Sequence, residues 1–350
     1  MTATPAPQII AGRYEVRKSL GQGSFGEVYE VFDLHLSQVC ALKLLRAAPF
    51  GHWAEAQILR QVRGEYILPV LNADLAAGRA YVVTELATRG TVADQIEGGV
   101  GLPVSVAVRW ARQACQGVAR LHDLNLLHGD IKPENLFLNE RGDALVSDFG
   151  LAQLQDAGGM AKACGSKPTM APEVARVGVS GLLVPTNRTY GVRSDVYSLG
   201  ASLFWMLAGA QPVPGVATNA DVWNASQPDL WPVAPHVPQG LRDIVNKAIA
   251  REPGERYASP ADLDAALGGR TLPGREWTRV VPHAGHAQCF VGDKKGGSQL
   301  KVCAIPTGRM TQVQILTSHA ETGRAVNRAT RNTTLAKLPA ALRSAFSACG

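Results

Sequence analysis

The chain has 350 residues, is 46% hydrophobic and 18% charged, and carries a formal net charge of +6. That suits one large two-lobed domain with something small beside it, and it excludes a disordered or fibrous chain. No apolar run reaches the ~18 residues of a membrane helix, and Met1 to Gln8 lacks a charged and apolar leader, so neither a membrane span nor a secretion signal is expected.

The six cysteines, at positions 40, 115, 164, 289, 303 and 349, are scattered. This is the pattern of reduced thiols in a cytoplasm, not of a disulfide framework. The positive charge is local. Residues 271–350 hold 11 Lys+Arg against 3 Asp+Glu, whereas the rest of the chain holds 24 against 26.

Arg13 to Val16 leads into Gly21-Gln22-Gly23-Ser24-Phe25-Gly26. Such a glycine pattern alone fits a dinucleotide fold as well, but there a helix must follow. Here Glu27 to Phe32 alternates and is rich in β-branched and aromatic residues, which predicts a strand. Strand, glycine turn and strand form a flap whose backbone amides can cover phosphates. Cys40-Ala41-Leu42-Lys43 is a further strand. Glu55, Ile58, Leu59 and Val62 recur at helical spacing and predict one helical face. Tyr66 to Val70 and Ala80 to Ala87 read as strands, and Val106 to His122 as a long amphipathic helix with Val106, Trp110, Ala114, Gly117, Val118 and Leu121 on one side.

The densest stretch is His128 to Gly150, HGDIKPENLFLNERGDALVSDFG. It sets Asp130, Lys132, Asn135 and Asp148 within one loop, a hairpin and a second acidic turn. Phosphoryl transfer from ATP needs these types: a carboxylate to orient the attacking hydroxyl, a cation to balance the γ-phosphate, and an Asn with an Asp to hold magnesium. With the glycine flap, this segment resembles the eukaryotic-like, Hanks-type serine/threonine protein kinases of bacterial type.

The resemblance covers about Arg13 to Gly268. It implies an α+β, bilobal protein kinase fold, with a five-stranded N-lobe plus one main helix and a mostly helical C-lobe. It also implies ATP with magnesium, or manganese in its place, and protein substrates. Asp130, Lys132, Lys43 and Glu55 would be the catalytic set, with Lys43 on the α- and β-phosphates and Glu55 its partner. Leu20, Gly21, Gln22, Gly23, Ser24, Phe25, Gly26, Val28, Ala41, Glu85, Ala87 and Asn135 would surround the nucleotide, with Val28 over the adenine, Thr84 behind it, and backbone groups of Glu85 and Ala87 at its edge. Asn135 and Asp148 would hold the metal. Only twelve positions separate Lys43 from Glu55, so the first turns of the helix look missing, and Glu65 is the second candidate partner.

Gly129 stands where the family commonly has an arginine that receives an activation-loop phosphate, which implies a kinase with little dependence on that phosphorylation. Ser166 fits the hydroxyl that bridges Asp130 and Lys132 in serine/threonine kinases, and Ala171-Pro172-Glu173 closes the segment. Val177 to Arg188 reads as an inserted loop. Asp195 would hold the catalytic loop from the head of an apolar helix, and Arg256 would pair with Glu173.

The domain is drawn as residues 13–268, with a linker at 269–276 and a small basic β-rich module at 277–350. There, Ala287–Val291, Leu300–Ile305 and Met310–Leu316 alternate as strands, Asp293 to Gly297 is a hairpin turn, and Leu338 to Phe346 a short helix. So small a unit is expected to lean on the kinase. His283, His286, Cys289 and Cys303 have the residue types of a zinc site, but their spacing matches no common finger. The basic residues lack interleaved aromatics, so a solvated basic face or an acidic protein partner is favoured over nucleic acid. A non-catalytic ATP-binding scaffold acting through this module is the alternative function.

Overall fold

Alternation builds the first sheet. The strands are β1 (Ile9–Ile10), β2 (Tyr14–Gly23), β3 (Gly26–Asp33), β4 (Gln38–Leu45), β5 (Val70–Ala76) and β6 (Arg79–Glu85), all antiparallel in the order β1-β2-β3-β4-β6-β5. The computed structural model describes residues 8–23, 26–45, 62–96, 99–148, 153–177, 179, 189–269, 274–308 and 311–350. One face of the sheet buries Tyr14, Val31, Cys40, Leu42, Leu44, Tyr81 and Val83. On β4 the buried residues alternate with half-buried Ala41 and Lys43, so the second face looks into the cleft.

Two details depart from expectation. The sheet has six strands because Ile9–Ile10 folds back on Tyr14 and Glu15, ahead of the boundary drawn at 13. The left-handed pair Ala11 and Gly12 makes that turn, and Ile10 is buried beneath it. The strand read at Tyr66–Val70 instead starts at Val70, because the Leu68 amide bonds the Val146 carbonyl in the other lobe and Pro69 has no amide to give. The helix read around Glu55 lies outside the described residues.

The second lobe is helical: α1 (Val104–Asp123), α2 (Pro172–Ala175), α3 (Val192–Ala208), α4 (Asn219–Asn224), α5 (Leu230–Val233), α6 (Gln239–Ala248) and α7 (Pro260–Gly268). On α1 the buried Val104, Ala107, Ala111, Ala114, Val118 and Leu121 recur at helical spacing, and this face packs on α3 and α7. α3 is buried almost all round, as a helix apolar on every side must be. Between α1 and α2 run short ladders: β7 (Leu126–Leu127), the hairpin β8 (Leu136–Leu138) with β9 (Ala144–Val146), β10 (Gln153–Leu154) and β11 (Met160–Ala161), the last pairing with β12 (Tyr190–Gly191). Of the inserted loop, residues 178 and 180–188 lie outside the described residues.

The C-terminal segment is a meander, β13 (Arg275–Val280), β14 (Gln288–Lys294), β15 (Leu300–Pro306), β16 (Gln312–His319) and β17 (Arg331–Thr334), closed by α8 (Leu338–Ala348). Trp277, Phe290, Val302, Ile315, Leu342 and Phe346 lie in its core. β13 starts inside the stretch read as a linker. It was obscured by Arg275, which is buried yet satisfied, donating to the carbonyls of Cys349, Gly292 and Ser298. β17, all polar at the sheet edge, was also missed.

The meander lies against the helical lobe. His236 meets the Phe290 ring at 5.5 Å between centroids, and the Arg343 guanidinium lies 5.1 Å from the centre of the Trp231 ring. The Glu276 carboxylate accepts bonds from the Ser105 amide and, at 2.9 Å, from the Ser105 hydroxyl. This is the first turn of α1, which has no acid of its own and no side-chain cap at Pro103.

Candidate active site

Strand pairing lines up the roof of the cleft. Val28 and Val82 lie opposite Lys43, and Thr84 lies opposite Ala41. With a two-residue side-chain period, all five therefore share the cleft-facing surface. Gly26 lies so close to β4 that a Cβ there would sit 2.2 Å from the Leu44 carbonyl oxygen, so no larger residue fits. A Cβ on Gly21 would meet nothing within 4 Å, and Leu20, Gly21 and Gln22 are exposed along the flap. Gly23 pairs with Gly26 at the end of β2; Ser24 and Phe25 lie outside the described residues, as does Glu55. At the hinge Glu85 donates its amide to the Pro69 carbonyl, and Ala87 follows half-buried.

Across the cleft, Lys43 forms an ion pair with Asp148. The Asp148 backbone is left-handed, with φ at 57°, a conformation that aspartate tolerates better than most residues. It turns the chain sharply after β9.

Below lies the loop around Asp130, which is only 3% exposed. One of its carboxylate oxygens accepts the Ser166 amide at 2.8 Å. The other accepts Lys132 at 2.9 Å and the Asn135 amide at 3.1 Å. Burial pushes the Asp130 carboxyl up. The charge of Lys132 and the bonds from Ser166 and Lys132 outweigh it, so its pKa lies below the usual carboxylate value. Lys132 also donates to the Ser166 hydroxyl at 2.6 Å. The bridge expected of Ser166 thus uses its hydroxyl toward Lys132 and its amide toward Asp130.

Asn135 spends its amide nitrogen on Asp130, donating at 2.7 Å to the main-chain carbonyl as well. Its side-chain oxygen is the atom able to meet a cation, and the Asp148 carboxylate is the second candidate donor. Two hard oxygen donors at the cleft suit magnesium.

Asp195, wholly buried at the head of α3, holds this loop from beneath. It accepts the amides of His128 at 2.9 Å and Gly129 at 3.2 Å. Its other partners escaped the sequence reading: His122, 2.8 Å away, and the Tyr190 hydroxyl, donating at 2.6 Å. Burial again raises the carboxyl, and these bonds with the nearby imidazoles bring it below its ordinary value. Tyr190 could not be linked to Asp195 by any periodic signal, since it follows a stretch that the sequence punctuates with Gly and Pro. His122 looked like the ordinary last turn of a helix. Gln113 was also missed: it looks like a polar flaw in the apolar face of α1, but it bonds Asp143 and the Ala144 amide and so pins the β8–β9 hairpin. His128 is a packed histidine, its Nε2 2.9 Å from the Ser147 carbonyl. Glu173 and Arg256 form the expected pair, a fork with contacts of 2.8 and 2.7 Å.

Comparison with known proteins agrees with this geometry. The family description "Protein kinase domain" matches residues 14–265. A CBL-interacting serine/threonine-protein kinase 13 of Arabidopsis thaliana is 33% identical over 220 residues, 59% of this chain and 42% of its own. CBL-interacting protein kinase 11 of Oryza sativa subsp. japonica is 28% identical over 313 residues, covering 83% and 60%. The serine/threonine-protein kinase PrkC of Bacillus subtilis (strain 168) is 28% identical over 274 residues, covering 74% and 40%. The chain thus spans between 40% and 60% of the length of these relatives. With the flap, the Lys43–Asp148 pair and the Asp130 loop facing one cleft, and with most of its length matched, the chain belongs to the protein kinase family, on its Hanks-type serine/threonine side.

Proposed function

We propose that the protein transfers the γ-phosphate of ATP to serine and threonine hydroxyls of protein substrates, as a kinase without the arginine before the catalytic aspartate. The observation that carries this reading is the triangle of Asp130, Lys132 and Ser166. Asp130, held at both oxygens and kept ionised, orients the acceptor hydroxyl and takes its proton as the new O–P bond forms and the bond to ADP breaks. Lys132 balances charge on the moving phosphoryl group. Lys43 aligns the α- and β-phosphates beneath the flap. Asn135 and Asp148 would hold magnesium, or manganese, which neutralises the phosphate oxygens when bound.

The six cysteines are free thiols, Cys289 and Cys303 included although they face each other across β14 and β15. This supports action in a reducing compartment such as the cytoplasm. Among the described residues no helix is long and apolar enough to cross a membrane. The basic C-terminal segment suits acidic protein partners.

The test is Asp130→Asn. Its carboxylate acts on the acceptor and not on the nucleotide, so phosphotransfer from labelled ATP to a generic basic protein should fall by roughly 10²–10⁴-fold. ATP affinity, measured by calorimetry, should stay within about threefold, a free-energy change under ~1 kcal/mol. Wild-type turnover in the variant would end this mechanism, and an inactive wild type that still binds ATP would favour a scaffold.

A further inference from the structure

The C-terminal meander carries a cluster that the kinase chemistry does not use. His283 and His286 lie on the connection between β13 and β14, Cys289 lies on β14, and Cys303 lies opposite it on β15. One ligand-capable atom from each of the four lies within 4.8 Å of the other three. The His283 Nδ1 is 3.2 Å from the Cys289 sulfur and 3.7 Å from that of Cys303, and the His286 Nδ1 is 3.3 Å from the Cys289 sulfur. In a tetrahedral site with Zn–S of about 2.3 Å and Zn–N of about 2.05 Å, the nitrogen-to-sulfur edge is about 3.6 Å. The separations fall close to that edge before any ion draws the ligands in. The imidazole planes stand 83° apart, so the two rings approach the common point from different directions.

We propose that His283 and His286, through Nδ1, and Cys289 and Cys303, through their thiolates, bind one structural zinc ion that clasps the β13–β14 connection to the sheet.

A second observation supports it. The connection has almost nothing apolar to hold it: residues 281–285 are exposed, Val281 to 65%. Yet it makes a defined turn, with Gly285 left-handed and the His286 amide bonded to the His283 carbonyl at 3.0 Å. That turn points both imidazoles at the thiols. A small sheet with one helix buries little surface, and units of this size are commonly stapled by a metal.

The donor set selects the ion. Two sulfurs and two imidazole nitrogens in a tetrahedron suit zinc, and they do not suit magnesium or calcium. Binding releases the two thiol protons, so the ion and two thiolates form a core without net charge. All four positions come from the protein, leaving none for a substrate, which makes the site structural. The spacing between the second and third ligands and the last one, His286–Cys289 and then Cys303, follows from the strand pairing and not from a finger, which is why it matches no familiar pattern.

The test uses the full chain, purified under reducing conditions. Elemental analysis after gel filtration should give one zinc per chain. Exchange with cobalt should give the visible bands of a tetrahedral ion with a thiolate charge-transfer band in the near ultraviolet. His286→Ala, on the exposed turn, and Cys303→Ser should each drop zinc to the level of the buffer blank, and chelation should lower the melting temperature of the wild type but not of these variants. If a variant does not fold, the cobalt spectrum of the wild type decides. No metal above blank, an octahedral cobalt spectrum, full zinc in both variants, or a Cys289–Cys303 disulfide in the protein as purified would each overturn the proposal.

Discussion

Gly129 shows how much one position can decide. Its φ is +84°, in the left-handed region that costs a residue with a side chain roughly 1–2 kcal/mol. Glycine holds the turn without that cost but brings no cation to the catalytic loop. Across from it, Ser166 is already bonded to both Asp130 and Lys132, and Thr169 is buried with its carbonyl accepting the Ser198 hydroxyl. These bonds and this packing hold the described part of the segment in place. Phosphatase-treated enzyme should keep most of its activity at saturating ATP, and a phosphate on Ser166 should inhibit by placing charge beside Asp130. A rise above about tenfold on autophosphorylation, ~1.4 kcal/mol of barrier, would show another cation acting in the missing arginine's place. That Asp130, Lys132 and Asn135 meet was legible because they fall in one short segment. Tyr190 and His122, which hold the Asp195 that holds the loop, were not, because their roles exist only once distant chain segments meet.

Elements were legible where one face is apolar and periodic. α1, α7, β3, β4 and the β8–β9 hairpin follow such patterns, and α3, buried almost all round, showed as an apolar run. The failures have two causes: polar residues within strands, buried at Arg275 and at the sheet edge in β17, and tertiary bonds that a local pattern does not show. Arg275 hid β13 because a buried arginine looks exposed until its three carbonyl partners are known. Pro69 and the cross-lobe bond of Leu68 moved the start of β5. The same reasoning bears on the Glu173–Arg256 pair, which ties α2 to the turn before α7. The Arg256 side chain is fully buried, so Glu173→Ala strands a charge and should destabilise the protein by about 3 kcal/mol. The low end of the usual range applies because Arg256 also donates to the carbonyls of Ala250, Arg193 and Arg251. Urea unfolding checks this, and a loss below ~1 kcal/mol would mean those carbonyls suffice.

At the scale of the molecule, the meander and the helical lobe meet around His236, both of whose ring nitrogens are buried without a hydrogen-bond partner. Burial, helped by the charge of Arg279, pushes its pKa down to about 3. A histidine depressed in the folded state contributes its full share above the unfolded value of ~6.5, and that share is lost as pH falls below it. The melting temperature should therefore drop on going from pH 7 to pH 5.5, and His236→Phe should flatten that dependence; an unchanged slope would remove His236 as its source. The docking itself was only partly legible, because sequence pattern shows that a small sheet needs support but not which surface gives it. The Glu276 carboxylate on the first turn of α1 has a kinetic consequence. Ser105 and Glu276 are 171 positions apart, so this contact closes a long loop, and such contacts form late when a chain folds. A contact absent from the transition state changes unfolding and not folding. Glu276→Gln should leave the refolding rate within about twofold and speed unfolding several-fold, as expected for a loss of ~1 kcal/mol at a helix start. Stopped-flow refolding and unfolding in urea measure both limbs; a slowed folding limb would place the meander in the folding nucleus. With this contact made late, the helical lobe gains its resistance to opening only when its last-made neighbour arrives.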